Sequence, residues 1–162
     1  MIAPMLVVLL AAGAPLIPEP NADAIAGIYA CQDTDGAGHR WHFSSENVPF
    51  GAWIVAKTSF PAQNGARAQV SQTYVGYDAS AKKWHIVALG YGGSFYTRES
   101  SSPRLDGSTW VDDDPADGGR AVITLPNANQ YVFSFHQRQA HGSVDRQRVV
   151  CTRNSRKASS EK

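Results

Sequence analysis

The stretch Ala66-Arg-Ala-Gln-Val-Ser-Gln-Thr-Tyr-Val-Gly-Tyr77 decides the fold. It sets Ala68, Val70 and Tyr74 on one face against Arg67, Gln69, Ser71 and Thr73 on the other. A period of two belongs to a strand, whose successive side chains point to opposite faces. Working outward, Asp78-Ala-Ser-Ala-Lys82 forms a polar connection into the second run, Trp84-His-Ile-Val-Ala-Leu89. Gly90, Gly92 and Gly93 interrupt before Ser94-Phe-Tyr-Thr-Arg98 resumes. Upstream lie Gly27–Cys31, His39–Phe43 and Ala52–Ala56; downstream lie Thr109–Val111, Arg120–Leu125, Tyr131–Phe135 and Val144–Thr152. Gly, Pro, Asn and Asp turns separate these runs, and no ten-residue stretch keeps a helical period without Gly or Pro. The spacing predicts an all-β chain of eight to ten strands, a closed antiparallel up-and-down barrel with a β-sandwich as the alternative.

The ends of the chain read differently from its body. Met5-Leu-Val-Val-Leu-Leu-Ala-Ala12 has the length of a signal-peptide core and is too short for a bilayer span of ~20 apolar residues. Ala22-Asp-Ala24 supplies a cleavage site, although no Lys or Arg precedes the apolar run. The expected organisation is a signal peptide over 1–24, one barrel domain over 25–153, and a disordered Ser- and Lys-rich tail over 154–162. The product is expected to be exported to the periplasm or outside the cell, with no membrane span; its oligomeric state is not readable.

Two cysteines lie at either end of the body, Cys31 on the first run and Cys151 on the last. In an oxidising compartment they are expected to join, which requires their Cα atoms to lie within ~7 Å. A closed meander brings its first and last strands together and leaves no exposed edge. Two buried free thiols are the alternative.

Composition excludes some functions. Fifteen basic residues face fourteen acidic ones, and removing Glu19 and Asp23 with the leader leaves about +3, much of it in the tail. That is no basic face for nucleic acid.

The opening Gly27-Ile-Tyr29 resembles the Gly-x-Trp that begins the first strand of lipocalins, with Tyr in place of Trp. In that family an Arg from the last strand covers the ring, a part the resemblance assigns to Arg146 or Arg148. The Tyr74-Val-Gly-Tyr-Asp78 run followed by Trp84, with the terminal cysteines, is similar to small exported bacterial lipocalin-like barrels of unassigned function. The chain lacks the family's Thr-Asp-Tyr motif and its helix after the last strand. The resemblance implies a barrel and transfers no ligand.

Candidate chemistry is sparse. His39, His42, His85, His136 and His141 are potential metal ligands, but residues three apart on a strand face opposite ways, and convergence is not readable. Asp112, Asp113, Asp114 and Asp117 make an acidic loop without EF-hand spacing, and Asp33-Thr-Asp35-Gly36 is as well explained by turn chemistry. No metal or cofactor is assigned. There is no nucleophile elbow, and the body holds only Glu46 and Glu99 as glutamates, so no catalytic residue is assigned.

The aromatics remain. Trp41, Trp53, Tyr74, Trp84 and Phe133 are the candidate ligand-binding residues for a small, partly apolar molecule whose identity is not readable; a bound hydrophobic probe is expected to be displaced by fatty-acid-like molecules. The same rings would also serve to fill a small barrel. The sequence therefore reads as a non-catalytic binder of a small, partly apolar molecule. The alternative is a filled-core module that contacts a protein or an envelope polymer.

Overall fold

A computed structural model describes residues 22–62, 67–90, 93, 95–112, 119–138 and 144–154. The acidic run after Asp112, His141 and the tail beyond 154 lie outside the described residues. Ten strands form: β1 (Gly27–Thr34), β2 (Arg40–Phe50), β3 (Trp53–Phe60), β4 (Gln69–Asp78), β5 (Lys83–Leu89), β6 (Phe95–Ser100), β7 (Ser108–Asp112), β8 (Arg120–Asn127), β9 (Gln130–Arg138) and β10 (Val144–Arg153). Each pairs antiparallel with its sequence neighbour, and β10 returns to β1, closing the barrel. The expected meander is therefore complete, at the upper end of the predicted strand count.

The closing seam carries the cystine. Cys31 and Cys151 stand directly opposite each other and are bonded, with Cα atoms 4.1 Å apart. That separation belongs to the narrow, non-hydrogen-bonded type of antiparallel pair, where side chains approach most closely. The bridge faces inward and is buried with Tyr29, and Phe43, Tyr131 and Val149 pack against the cluster.

One end of the barrel is filled. The fully buried Trp84 and Trp110 meet Ile54, Ala121, Ile123 and Leu105 there, with Ala22 and Ile25 of a short 3-10 helix, Ala22–Ile25. Asn47 donates from Nδ2 to the Ile25 carbonyl at 2.8 Å and so ties this helix to the wall of β2. Trp110 finds its own partner, donating from Nε1 to Ser108 Oγ at 2.7 Å.

The first turn of the barrel is held by one carboxylate. Asp35 Oδ1 accepts from the backbone N–H of Ala37 at 2.9 Å and of His39 at 2.8 Å, and Oδ2 meets His39 Nδ1 at 2.9 Å. These bonds, led by that from His39, hold its carboxyl below the usual range. Asp78 does the same in the β4–β5 connection, accepting from Ser80 and Ala81, while Lys82 takes a left-handed φ of 53°.

The aromatic cover seen at the lipocalin-like opening is present, with a different arginine. Arg153 places its guanidinium 5.2 Å from the centre of the Tyr29 ring and donates to the Ala26 carbonyl at 2.6 Å. Register explains the correction. Arg153 stands opposite Tyr29, whereas Arg148 stands opposite Thr34 and is exposed on the outer face. Gly27, at a φ of 135°, leaves room for this guanidinium, which occupies the space a Cβ would need.

Candidate functional site: a half-polar cavity

Inward-facing residues follow one parity per strand: odd numbers on β1, β2, β4, β8, β9 and β10, and even numbers on β3, β5, β6 and β7. In β4 the outcome is unexpected. Ser71, Thr73 and Val75 face the interior, while Val70 and Tyr74 face out. Polar side chains therefore line part of the barrel.

Beyond the filled end the interior contains a cavity of about 250 Å³, walled by every strand except β7 and floored by Ile25. Its apolar wall is Phe43, Phe60, Tyr96 and Phe133, with Val75, Ile86, Ile123 and Val149 between them. Its polar wall is Asp33, Ser45, Asn47, Thr58, Ser71, Thr73, Tyr131 and Gln147. The Cys31–Cys151 bridge borders it through Cys151.

The five candidate residues separate. Phe133 lines the cavity. Trp84 faces inward but is wholly buried in the filled end, edge-on to Tyr77 with ring centres 5.3 Å apart. Trp41 has the inward parity of β2, yet it is 39 % exposed beside His39 and contributes nothing to the wall. Trp53 and Tyr74 lie on the outer face. Trp53 covers Gly76, which stands opposite it, and stacks on His85 at 6.3 Å. A ring over a strand glycine shields backbone that has no side chain of its own. Of the five candidates only Phe133 lines the cavity: register turns Trp53 and Tyr74 outward, whereas Trp41 and Trp84 share the inward parity and do not line it.

Three of the cavity's polar side chains, Ser45, Asn47 and Tyr131, bond one another. Ser45 Oγ donates to Asn47 Oδ1 at 2.6 Å, and both side chains hydrogen-bond Tyr131. Burial nevertheless pushes the Tyr131 phenol up, with those two bonds acting in the opposite direction. Asp33 differs. Gln147 Nε2 donates to its Oδ2 at 2.5 Å across the seam, but its Oδ1 is buried without a hydrogen-bond partner. Burial raises its carboxyl above the ordinary range, and the bonds from Gln147 and the Thr34 backbone offset that only in part. Among the described residues the only other such atom is Trp84 Nε1.

Arg98 is the inward-facing cation nearby. It is buried, with its guanidinium 4.4 Å from the Phe135 ring centre, 4.5 Å from Tyr96 and 5.8 Å from Phe133. These contacts pack it inside the barrel against the rings of Tyr96 and Phe133, which line the cavity. On the outer face Lys83 and Glu99 form a half-buried ion pair, with Lys83 Nζ 2.5 Å from the Glu99 carboxylate and His85 Nδ1 3.6 Å from it. Among the described residues no three His, Cys, Asp or Glu side chains converge as a metal site.

Sequence reasoning weighed Asp33 only as part of an acidic turn and did not single out Phe43, Phe60, Tyr96 or Gln147. A signal for Asp33 was available: with Cys31 facing inward, the residue two along the strand must face inward too.

No protein-family model matches the chain, and no curated protein does. Among solved structures, a redesigned β-barrel called b11L5F_LGL superposes with a TM-score of 0.50 at 12% identity, covering 82% of this chain and 93% of that one. A second, EF1p2_mFAP2b bound to DFHBI, gives 0.47 at 11% identity over 84% and 98%. The first likeness agrees with the strand pairing. The chain belongs to the class of closed, ten-stranded antiparallel β-barrels.

Proposed function

We propose that this protein is an exported, non-catalytic carrier that holds a small, partly apolar molecule inside its barrel. The single observation that carries the reading is the cavity of about 250 Å³, lined by aromatic rings interleaved with hydrogen-bonding groups. Ligand sites combine apolar walls with a few placed polar groups in this way. The volume lies just below the ~300–1,000 Å³ of drug-sized pockets, which favours a compact ligand. The cystine supports an oxidising destination, and Tyr29 beneath Arg153 supports the likeness to exported lipocalin-like barrels.

The test is native mass spectrometry of protein purified from its source, alongside an Ala56→Phe variant that fills the cavity. A co-purifying small mass, absent from the variant, is the expected result. A mass retained by a folded Ala56→Phe protein would place the ligand elsewhere.

A second reading, an interaction module, draws on the outer face. Val70, Leu89 and Phe95 are 50%, 44% and 63% exposed on adjacent strands, with Leu89 directly opposite Phe95. A stable protein partner without a small adduct would favour it.

A further inference from the structure

The cavity's hydrogen-bonding groups divide into those answered within the wall and those that are not. On β2 and β9, Ser45 donates to Asn47 at 2.6 Å and both bond Tyr131. At the seam, Gln147 of β10 holds the Asp33 carboxylate of β1. On β3 and β4 the hydroxyls of Thr58, Ser71 and Thr73 have no hydrogen-bond partner among the described residues. None of these three oxygens is sealed inside the wall, so each opens onto the cavity. Register gathers them. Thr58 stands directly opposite Ser71, and Thr73 stands between Ala56 on β3 and Ala88 on β5. Two methyl groups therefore flank the Thr73 hydroxyl where larger side chains would crowd it. Two residues beyond Thr58 on the same face, the Phe60 ring lies 4.9 Å from that of Phe43. In the other direction the next inward pair is Ile54 and Val75, which belong to the filled end.

The geometry points to an uncharged ligand with a flat apolar body and a hydroxyl or carbonyl oxygen at one end, that oxygen seated on Thr58, Ser71 and Thr73 and the body against Phe43 and Phe60. A hydroxyl both donates and accepts, so the cluster answers either kind of oxygen. A polar group taken from water into a cavity must regain its hydrogen bonds, and three unused hydroxyls supply them. The order of residues along β3 and β4 sets the direction: the polar end enters first, toward the filled end, and the apolar body follows. Charge of either sign is disfavoured. The Arg98 guanidinium already packs on the Tyr96 and Phe133 rings, so a cation would meet a like charge there. An anion would share the cavity with the Asp33 carboxylate, and like charges repel strongly in a poorly hydrated site.

This inference rests on the carrier reading, and its test separates the two. Three probes share one ring system and differ in a single group: 2-naphthol, 2-methylnaphthalene and 2-naphthoate. Binding of each is measured by equilibrium dialysis at neutral pH, to the oxidised full chain and to a Thr58→Val, Thr73→Val variant in which methyl groups of similar size replace the hydroxyls. The quantity read is the ratio of naphthol to methylnaphthalene affinity in each protein, so that the probes' own difference in hydrophobicity cancels. The ratio is expected to fall roughly tenfold in the variant, the loss of one to two hydrogen bonds. Methylnaphthalene should bind the variant at least as tightly as the parent, which shows that the cavity is intact. Ser71→Ala, the smallest change in volume, should lower the ratio about threefold and carries the test if the double variant does not fold. A ratio unchanged by these substitutions would overturn the inference and leave the carrier reading standing. Naphthoate binding tightest to the parent would overturn it as well. If none of the three binds, the carrier reading falls and the inference falls with it.

Discussion

Removing the cystine tests how the barrel is closed. The variant is Cys31→Ala with Cys151→Val, chosen to keep the buried volume near its original value. The bridge spans 120 residues. In the chain-entropy account, freeing a loop of that length returns about 5 kcal/mol of disorder to the unfolded state, although delivered values are often smaller. The folded state should tolerate the loss. The β1–β10 ladder runs from Tyr29–Arg153 to Thr34–Arg148 and positions both strands by backbone pairing. The variant should therefore keep its fold and lose about 3–5 kcal/mol, or roughly 10–15 °C in Tm for a domain of this size. Urea unfolding followed by far-UV circular dichroism measures this. The slope with denaturant should rise, since an uncrosslinked chain exposes more surface when it unfolds. A loss under ~1 kcal/mol with an unchanged slope would mean that the unfolded chain already holds its ends together, and would refute the entropic reasoning. Absence of any cooperative transition would show that the ladder cannot close without the bond.

Three further outcomes follow from named contacts. Burial raises the Asp33 carboxyl, so the folded state holds that proton more firmly than the unfolded one. Stability from this group is then present at acid pH and is lost as pH climbs from the unfolded value through the raised folded value. Asp33→Asn should accordingly raise Tm at pH 7 and have little effect near pH 3; an equal change at both, or a drop at pH 7, would contradict this. Gly27→Ala should destabilise by roughly 1–2 kcal/mol or more, because φ is positive there and the new methyl displaces Arg153. In an Arg153→Ala background its cost should shrink, and additivity in the double-mutant cycle would count against that contact. Lys82→Gly should stabilise by about 1 kcal/mol in denaturant unfolding by relieving a left-handed backbone in an exposed turn; a neutral or destabilising result would show that the lysine side chain compensates.

Local chemistry made the strands legible. Alternation in 66–77 and in the Trp84 run, divided by Asp, Gly and Pro turns, is enough to specify antiparallel hairpins, because strand side chains must alternate and turns need those residues. The cysteines on the terminal strands then made closure readable, since a bond demands adjacency. Which face points inward was not legible, because β4 carries apolar and polar side chains on both sides. Only closure of the whole sheet turned Ser71 and Thr73 in and Val70 and Tyr74 out. The tryptophans show the same limit. Trp53 and Trp84 look alike in sequence, yet register sets one over Gly76 outside the barrel and buries the other in its filled end. Asp33 read as one more turn residue until β10 brought Gln147 against it from 114 positions away. Strand and turn are decided by neighbours along the chain. Interior, cavity and unpaired charge are decided by neighbours across the seam, and those exist only once the barrel has closed.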